Sequence, residues 1–477
     1  MSNLKVVFMP HPPIIIPLIG RGKEVEAQKT IDGMEEMGLL IKDSQPDTII
    51  YITPHGNSFS NGTCILDEPI LKGDFSAFGF PEIKFEKAVN QSLSNEIFLK
   101  FEERDFVSVL MDKSLGKRYG GDVSLDNGAM VPMYFIDKHY KDYDMVHITP
   151  GHTSLEENYL LGQLLREVAK ERRESILLVC SGDLSHALKS EGPYDYHPSG
   201  PIFDKLIGEA ISNKDPLSLL TMEDKFVEEA GQCGLRSFLM GFGFMDGYQY
   251  DSKVIGYEGP FGVGYLTGFL REKTLKEGYS LVEDISHMSR AAYTARVKRE
   301  DDYIKLARKT IEDYVNHGKR LVFKDVEEEF SPEFIGETKG KKAGTFVTIY
   351  KNGGLRGCIG TISPNQENVI EEIINNSISA SGHDPRFNPV EAKELSDLEI
   401  SVDILKEAEL IRSKDELNVD KYGVIVEKGY KRGLLLPNLD GVNSVDDQVA
   451  IAMDKAGITS EKGMKLYRFE VIRHEIQ

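Results

Sequence analysis

Four short runs dominate the first half of the chain: LKVVFM (4–9), DTIIYIT (47–53), MVHIT (145–149) and SILLVC (175–180). A strand with one wet face alternates polar and apolar residues. A strand covered by helices on both faces is apolar nearly throughout, and these four runs have that character. Parallel neighbours need long crossovers, and stretches with apolar residues every third or fourth position supply them near 24–41, 154–171 and 200–213. The prediction for residues 1–275 is an α/β domain, a mostly parallel or mixed sheet covered by helices. A strand-like segment at 252–270 closes it.

Residues 276–297 are polar and charged with no sheet pattern and read as a linker. Residues 298–477 read as a second domain. A helix at 301–319 is followed by two strands at 343–360 joined by a turn at Asn352-Gly353-Gly354, then by a helix at 366–380, a strand at 398–405, a hairpin at 422–437, a helix at 444–456 and a final strand. Helices and antiparallel hairpins are segregated, which predicts an α+β class.

Composition narrows the function. The 477 residues carry a net charge of −20, most of it in the first 275, so a sequence-independent grip on nucleic acid or anionic lipid is not expected. No apolar run approaches the ~20 residues that cross a bilayer. The four cysteines, Cys64, Cys180, Cys233 and Cys358, form no CxxC pair, and no leader pattern precedes PHPP. A reducing cytoplasm is the expected compartment. Self-association is left open by the sequence.

The chemistry should lie where the strands end. His11 in MPHPP, His55 in TPHG and His186 in SGDLSH each follow a predicted strand directly. Open α/β sheets bind ligands at the carboxyl ends of their strands, and imidazoles delivered there from different strands can converge on one divalent metal ion. His152 in TPGHTS also follows a strand, but its Thr and Ser neighbours suit a helix N-cap. His139, His147, His197, His287, His317 and His474 lie in polar stretches and read as solvated.

On the strength of PHPP, ITPHG, SGDLSH and the closing GPFGVGY (259–265), residues 1–270 resemble the class III extradiol dioxygenases, in particular their catalytic B-subunit (LigB) type. They also resemble the related Memo proteins. The resemblance implies a non-haem Fe(II) held by His11 and His55, with His186 as acid/base and a downstream ligand completing the metal set. Two imidazoles and a carboxylate leave positions open for a catechol-like or aminophenol-like ring and O₂. His186 would take a proton from the substrate and return one, with Asp183 orienting it.

Two departures bear on that activity. The third ligand falls in VEEAGQCGLRS (227–237), which offers Glu229 and Cys233, and Memo-like proteins have a cysteine where Cys233 stands. A carboxylate favours Fe(II) oxygenase chemistry, whereas a thiolate also suits zinc or copper. The B-type enzymes read Asp-His-Gly where this chain has Asp126-Asn127-Gly128, and Asn127 can hydrogen-bond a substrate but cannot carry a proton.

The second half, with GTFVTIY (344–350), LRGCIG (355–360) and DPRF (384–387), resembles the AMMECR1 domain. Arg356 and Cys358 share one face of an extended segment, and with His383 they make a candidate small-molecule pocket. The fused pair resembles members of a system that includes a radical S-adenosylmethionine protein. No CxxxCxxC motif occurs here, so that partner would be a separate polypeptide. Two readings follow. One is an Fe(II)-dependent extradiol dioxygenase acting on a small aromatic substrate with O₂. The other is a Memo-like metal-binding protein of a radical-enzyme-associated system, without ring cleavage.

Overall fold

The four apolar runs form the centre of an eight-stranded sheet. A computed structural model describes residues 4–476 apart from 191, 193, 278–279, 352–353 and 439–440. The chain divides into two compact units, Met1–Ile285 and Ser286–Gln477. The Asn352-Gly353 part of the turn read in the second half lies outside the described residues.

In the first unit the strands are β1 (Leu4–Met9), β2 (Thr48–Ile52), β3 (Thr63–Leu66), a separate hairpin of β4 (Ile70–Phe75) and β5 (Phe80–Ala88), β6 (Ser108–Met111), β7 (Asp144–Thr149), β8 (Ile176–Ser181), β9 (Tyr248–Glu258) and β10 (Tyr265–Glu277). The large sheet runs β6-β3-β7-β2-β8-β1-β10-β9. Its inner four, β7, β2, β8 and β1, are mutually parallel. Strand β3 pairs antiparallel with β7, and β10 and β9 close the other side antiparallel, so the sheet is mixed.

Side chains alternate across the pleat and feed two cores. Val6, Phe8, Ile50, Ile52, Leu178 and Cys180 pack with helices α3 (Leu155–Glu171), α4 (Ser199–Asn213) and α5 (Leu235–Phe244). Val7, Met9, Ile49, Tyr51, Leu177 and Val179 pack with α1 (Gln28–Ser44) and α2 (Asn127–Asp137). That double cover is why the four runs are apolar on both faces. Phe8 shows the tightness of the packing, its ring centroid 4.8 Å from Phe238 and 5.8 Å from Phe242.

The second unit contains α6 (Asp302–His317), β11 (Thr345–Lys351), β12 (Gly354–Gly360), α7 (Val369–Gly382), β13 (Leu398–Leu405), β14 (Glu409–Ile411), β15 (Gly423–Lys428), β16 (Lys431–Leu435), α8 (Val445–Lys455), β17 (Lys465–Phe469) and β18 (Val471–His474). Two four-stranded antiparallel sheets result, β12-β11-β13-β18 and β14-β17-β15-β16. The last strand of the sequence reading is therefore two strands in different sheets, parting at Glu470, whose carbonyl accepts the Lys406 N–H. The stretch read as a structureless linker differs as well: β10 continues to Glu277 and residues Val282–Arg299 are helical. Its polar composition fits a helix with little apolar face.

Candidate metal centre

His11, His55 and Cys233 meet at the carboxyl rim of the central strands. Each offers one ligand atom, and these atoms all lie within 4.8 Å of one another. His11 Nε2 and His55 Nε2 are 2.8 Å apart, and Cys233 Sγ is 3.6 Å from His11 Nε2.

Local sequence explains each placement. Pro12 and Pro13 follow His11 and open a short 3₁₀ turn, Pro13–Ile15, where the missing N–H costs nothing and the fixed φ ends β1 abruptly. The His11 backbone N–H donates to Asp183 Oδ1 at 2.8 Å, tying the end of β1 to the end of neighbouring β8. Cys233 comes from the turn before α5, and that turn is pinned to the same place. Asp183 O accepts from the N–H groups of Cys233 (3.4 Å) and Gly234 (3.0 Å), and Asp183 N–H donates to Cys233 Sγ at 3.3 Å. The approach is so close that a Cβ on Gly182 would collide with the Cα of Gly234, so the glycine of SGD is required by packing. GPFGVGY underlies this region: Gly264 exchanges backbone hydrogen bonds with Leu184 and Ser185, both 2.8 Å.

The hydrogen bonds also set the tautomer of His11. Ser181 Oγ donates its one proton to Gly128 O (2.6 Å), so toward His11 Nδ1, 2.8 Å away, it can only accept. His11 is then protonated at Nδ1, and its Nε2 lone pair faces His55 and Cys233. Burial lowers the His11 pKa to about 4, which keeps the ring neutral at pH 7, as a ligand must be. Burial likewise lowers His55, and the neighbouring His11 adds to the effect. Burial and then the Asp183 charge push the Cys233 thiol up, so ionising it needs a cation beside it. Two neutral imidazoles and one thiol around a common point, with Nε2 of His11 directed inward, fit a divalent transition ion.

The other expected residues are distributed unevenly. Asp183 is buried and its carboxyl is raised to about 6 by burial. It does not hold the ring of His186: one oxygen accepts the His11 N–H, and the other lies 4.0 Å from His11 Nε2. His186 stands close enough to Asp183, His11 and His55 to feel their charges. Its Nε2 is buried without a hydrogen-bond partner, and its ring lies 5.1 Å from that of Tyr194. Glu229 is not brought to the cluster. It sits on the short helix Asp224–Ala230 and accepts from Ser199 Oγ at 3.0 Å. Asn127 is the first residue of α2, next to its cap Asp126. His152 is exposed, and Ser154 caps α3 by accepting from Glu157 N–H at 3.1 Å.

His147 corrects the solvated reading: it is fully buried in β7 and its Nε2 bonds Asp126 Oδ2 at 2.6 Å. Its position inside MVHIT was the available signal, since both faces of that strand are covered. The side chain of His287 lies outside the described residues. Nothing in the sequence marks Ser181 as functional except that it ends the SILLVC strand directly after Cys180. A cavity of about 640 Å³ in this unit, walled by Tyr159, Phe242 and Tyr248 among others, includes none of the clustered ligands.

In the second unit each candidate pocket residue is engaged by a different partner. Arg356 forks onto Glu394 (3.0 and 2.9 Å) and reaches the carbonyls of Asn388 and Pro389. Cys358 Sγ lies 3.3 Å from Thr348 Oγ1, and His383 Nε2 lies 3.2 Å from Tyr314 OH. The DPRF element clips the free edge of β12: Asp384 accepts Cys358 N–H (2.9 Å) and Arg386 donates to Cys358 O (3.0 Å). Strand edges are commonly blunted in this way.

Two protein families match the chain. Residues 5–268 match the family described as the catalytic LigB subunit of aromatic ring-opening dioxygenase, and residues 304–474 match AMMECR1. A protein of Clostridium acetobutylicum is 38% identical over 476 residues, covering 100% of both chains. A Thermotoga maritima protein is 46% identical over 178 residues, 37% of this chain and 98% of that one. Among solved structures, an uncharacterized Pyrococcus horikoshii protein is 30% identical with a TM-score of 0.33, covering 37% of this chain and 90% of its own. An uncharacterized Escherichia coli protein is 14% identical with a TM-score of 0.39, covering 56% of this chain and 98% of its own.

Proposed function

The chain belongs to the family of the catalytic LigB subunit, joined to an AMMECR1 domain, and from that premise we propose that its first unit is a mononuclear metal centre acting on a small oxygen-bearing molecule. The observation that carries this reading is the meeting of His11, His55 and Cys233 within 4.8 Å. A divalent transition ion held there supplies Lewis acidity and, if redox-active, a place for O₂.

The chain's own groups do the rest. Ser181 and Asp183 hold His11 in its ligating tautomer and place. His186, with an unpartnered Nε2, accepts a proton from a bound hydroxyl and returns it. Asn127 orients substrate oxygen through its amide.

With Cys233 in the cluster and Glu229 bonded to Ser199, the donor set is imidazole and thiolate, which favours zinc or copper over the two-imidazole, one-carboxylate setting of Fe(II) oxygenases. The favoured reading is therefore metal-dependent chemistry without ring cleavage. A second reading, extradiol cleavage on Fe(II), draws on one observation: Asp183 Oδ2 stands 4.0 Å from His11 Nε2 and could supply the missing carboxylate. The AMMECR1 domain is proposed as an accessory to this centre, with a separate radical S-adenosylmethionine protein as a partner.

Protein purified anaerobically and loaded separately with Fe(II), Zn(II) or Cu(II) tests these readings through oxygen uptake against a panel of catechols and aminophenols. Retention of one ion per chain without oxygen uptake supports the first. Uptake with iron alone supports the second.

A further inference from the structure

Behind His55 lies a buried chain of polar groups that the proposed chemistry does not use. His147 Nε2 bonds Asp126 Oδ2 at 2.6 Å, Thr53 Oγ1 donates to Asp126 Oδ1 at 2.7 Å, and Thr53 Oγ1 in turn accepts the backbone N–H of His55 at 3.3 Å. His147 and Thr53 are 0% exposed. Asp126 also caps α2, accepting Ala129 N–H at 3.2 Å. The fit leaves no slack, because a Cβ on Gly128 would collide with Thr53 Oγ1.

The two clustered histidines are held differently. His11 is fixed at both its backbone and its ring, through Asp183 and Ser181. His55 is exposed on a loop, and among the described residues its only hydrogen bonds are to Thr53 and to His11. The angle at which His55 enters the cluster therefore depends on Thr53, whose hydroxyl is aimed by Asp126, which is clamped by His147. A buried imidazole, carboxylate and hydroxyl in series would be costly to keep as packing alone, since apolar groups of the same shape would fill that space without the desolvation.

We infer that His147, Asp126 and Thr53 form a positioning clamp for His55, setting the affinity and geometry with which the His11–His55–Cys233 cluster takes a divalent cation. None of the three touches the ion, so they are positioning residues. The inference rests on the metal-centre reading, and groups that orient a ligand from behind typically change metal affinity 10–100-fold when removed.

The test uses the full chain loaded with Co(II), reading affinity by chelator competition and ligand geometry from the visible absorption of the bound ion. Thr53→Val, which keeps shape and removes the hydroxyl, should weaken Co(II) binding ~10–100-fold and alter the absorption envelope, whereas Thr53→Ser should restore both. His147→Gln, whose amide N–H can replace Nε2–H toward Asp126, should bind within a few-fold of wild type, and His147→Leu should not. If His147→Leu fails to fold, the Thr53 pair decides. Folded Thr53→Val protein with wild-type affinity and spectrum overturns the clamp while leaving the metal centre standing. A wild-type protein that takes up no Co(II) overturns both.

Discussion

Ser181 Oγ sits between His11 Nδ1 (2.8 Å) and Gly128 O (2.6 Å), and its single proton goes to the carbonyl. The last residue of β8 therefore decides which nitrogen of the histidine just beyond β1 faces the cluster. The expected consequence is that Ser181→Ala leaves His11 Nδ1 and Gly128 O unpaired in a fully buried place. Divalent metal affinity should fall ~10-fold or more, and stability by about 1–3 kcal/mol. Chelator competition and thermal melts of the same preparation read the two effects.

Glu229 and Cys233 lie four residues apart yet face different surroundings, and their variants should separate. Cys233→Ser should lose most bound metal, since a hydroxyl does not replace thiolate for zinc or copper. Glu229→Gln should keep full occupancy, because that side chain is engaged with Ser199 Oγ. Metal content per chain after dialysis distinguishes them, and equal losses would place the third ligand elsewhere.

Much of this site is legible in the sequence, and what is not has identifiable causes. The inner strands stand out because helices cover both their faces, whereas the short strands β3 and β6, of four residues each, carry too little pattern to separate from loops. The histidines at strand ends are visible for the same reason as the strands. The choice between Glu229 and Cys233 is not, because it depends on the turn at Gly231, which sends the helix before it toward Ser199 and the residues after it toward Asp183. By polarity alone His147 reads as solvated, yet in a doubly covered strand even a histidine is buried, and only the fold supplies its carboxylate partner.

Asp204 offers a pH test away from the ligands. It is 3% exposed, accepts Ser185 N–H and Tyr257 OH (both 2.8 Å), and burial raises its carboxyl to about 7. Because the folded state favours the protonated acid, this contribution to stability is fully present below the unfolded value near 3.8 and is lost as pH rises through about 7. Asp204→Asn cannot ionise: its amide oxygen can still accept Ser185 N–H, and its amide N–H can donate to the Tyr257 hydroxyl oxygen. The variant should gain on wild type by roughly 2–4 kcal/mol between pH 5 and pH 8, read as the difference between their melting curves. A constant difference across that range would refute the assignment.

Glu394 has the opposite sign. Burial opposes its charge, but the fork from Arg356 outweighs this and holds the carboxyl down at about 2. Its contribution is present above the ordinary glutamate value and is lost as pH falls from about 4.5 toward 2. Arg356→Ala should destabilise the second unit by about 1–3 kcal/mol at pH 7 by stranding a buried carboxylate. The double variant with Glu394→Ala should recover part of that loss, measured by denaturant unfolding.

The central claim is that imidazoles from beyond the ends of two strands and one thiol hold a single cation, and the direct measurement is Co(II) titration of the full chain monitored by absorption. The account predicts one equivalent bound with a sulfur-to-cobalt charge-transfer band in the near ultraviolet, the band disappearing in Cys233→Ser and binding abolished in His11→Ala. Binding that survives His11→Ala, or a one-to-one complex with no thiolate band, would contradict it.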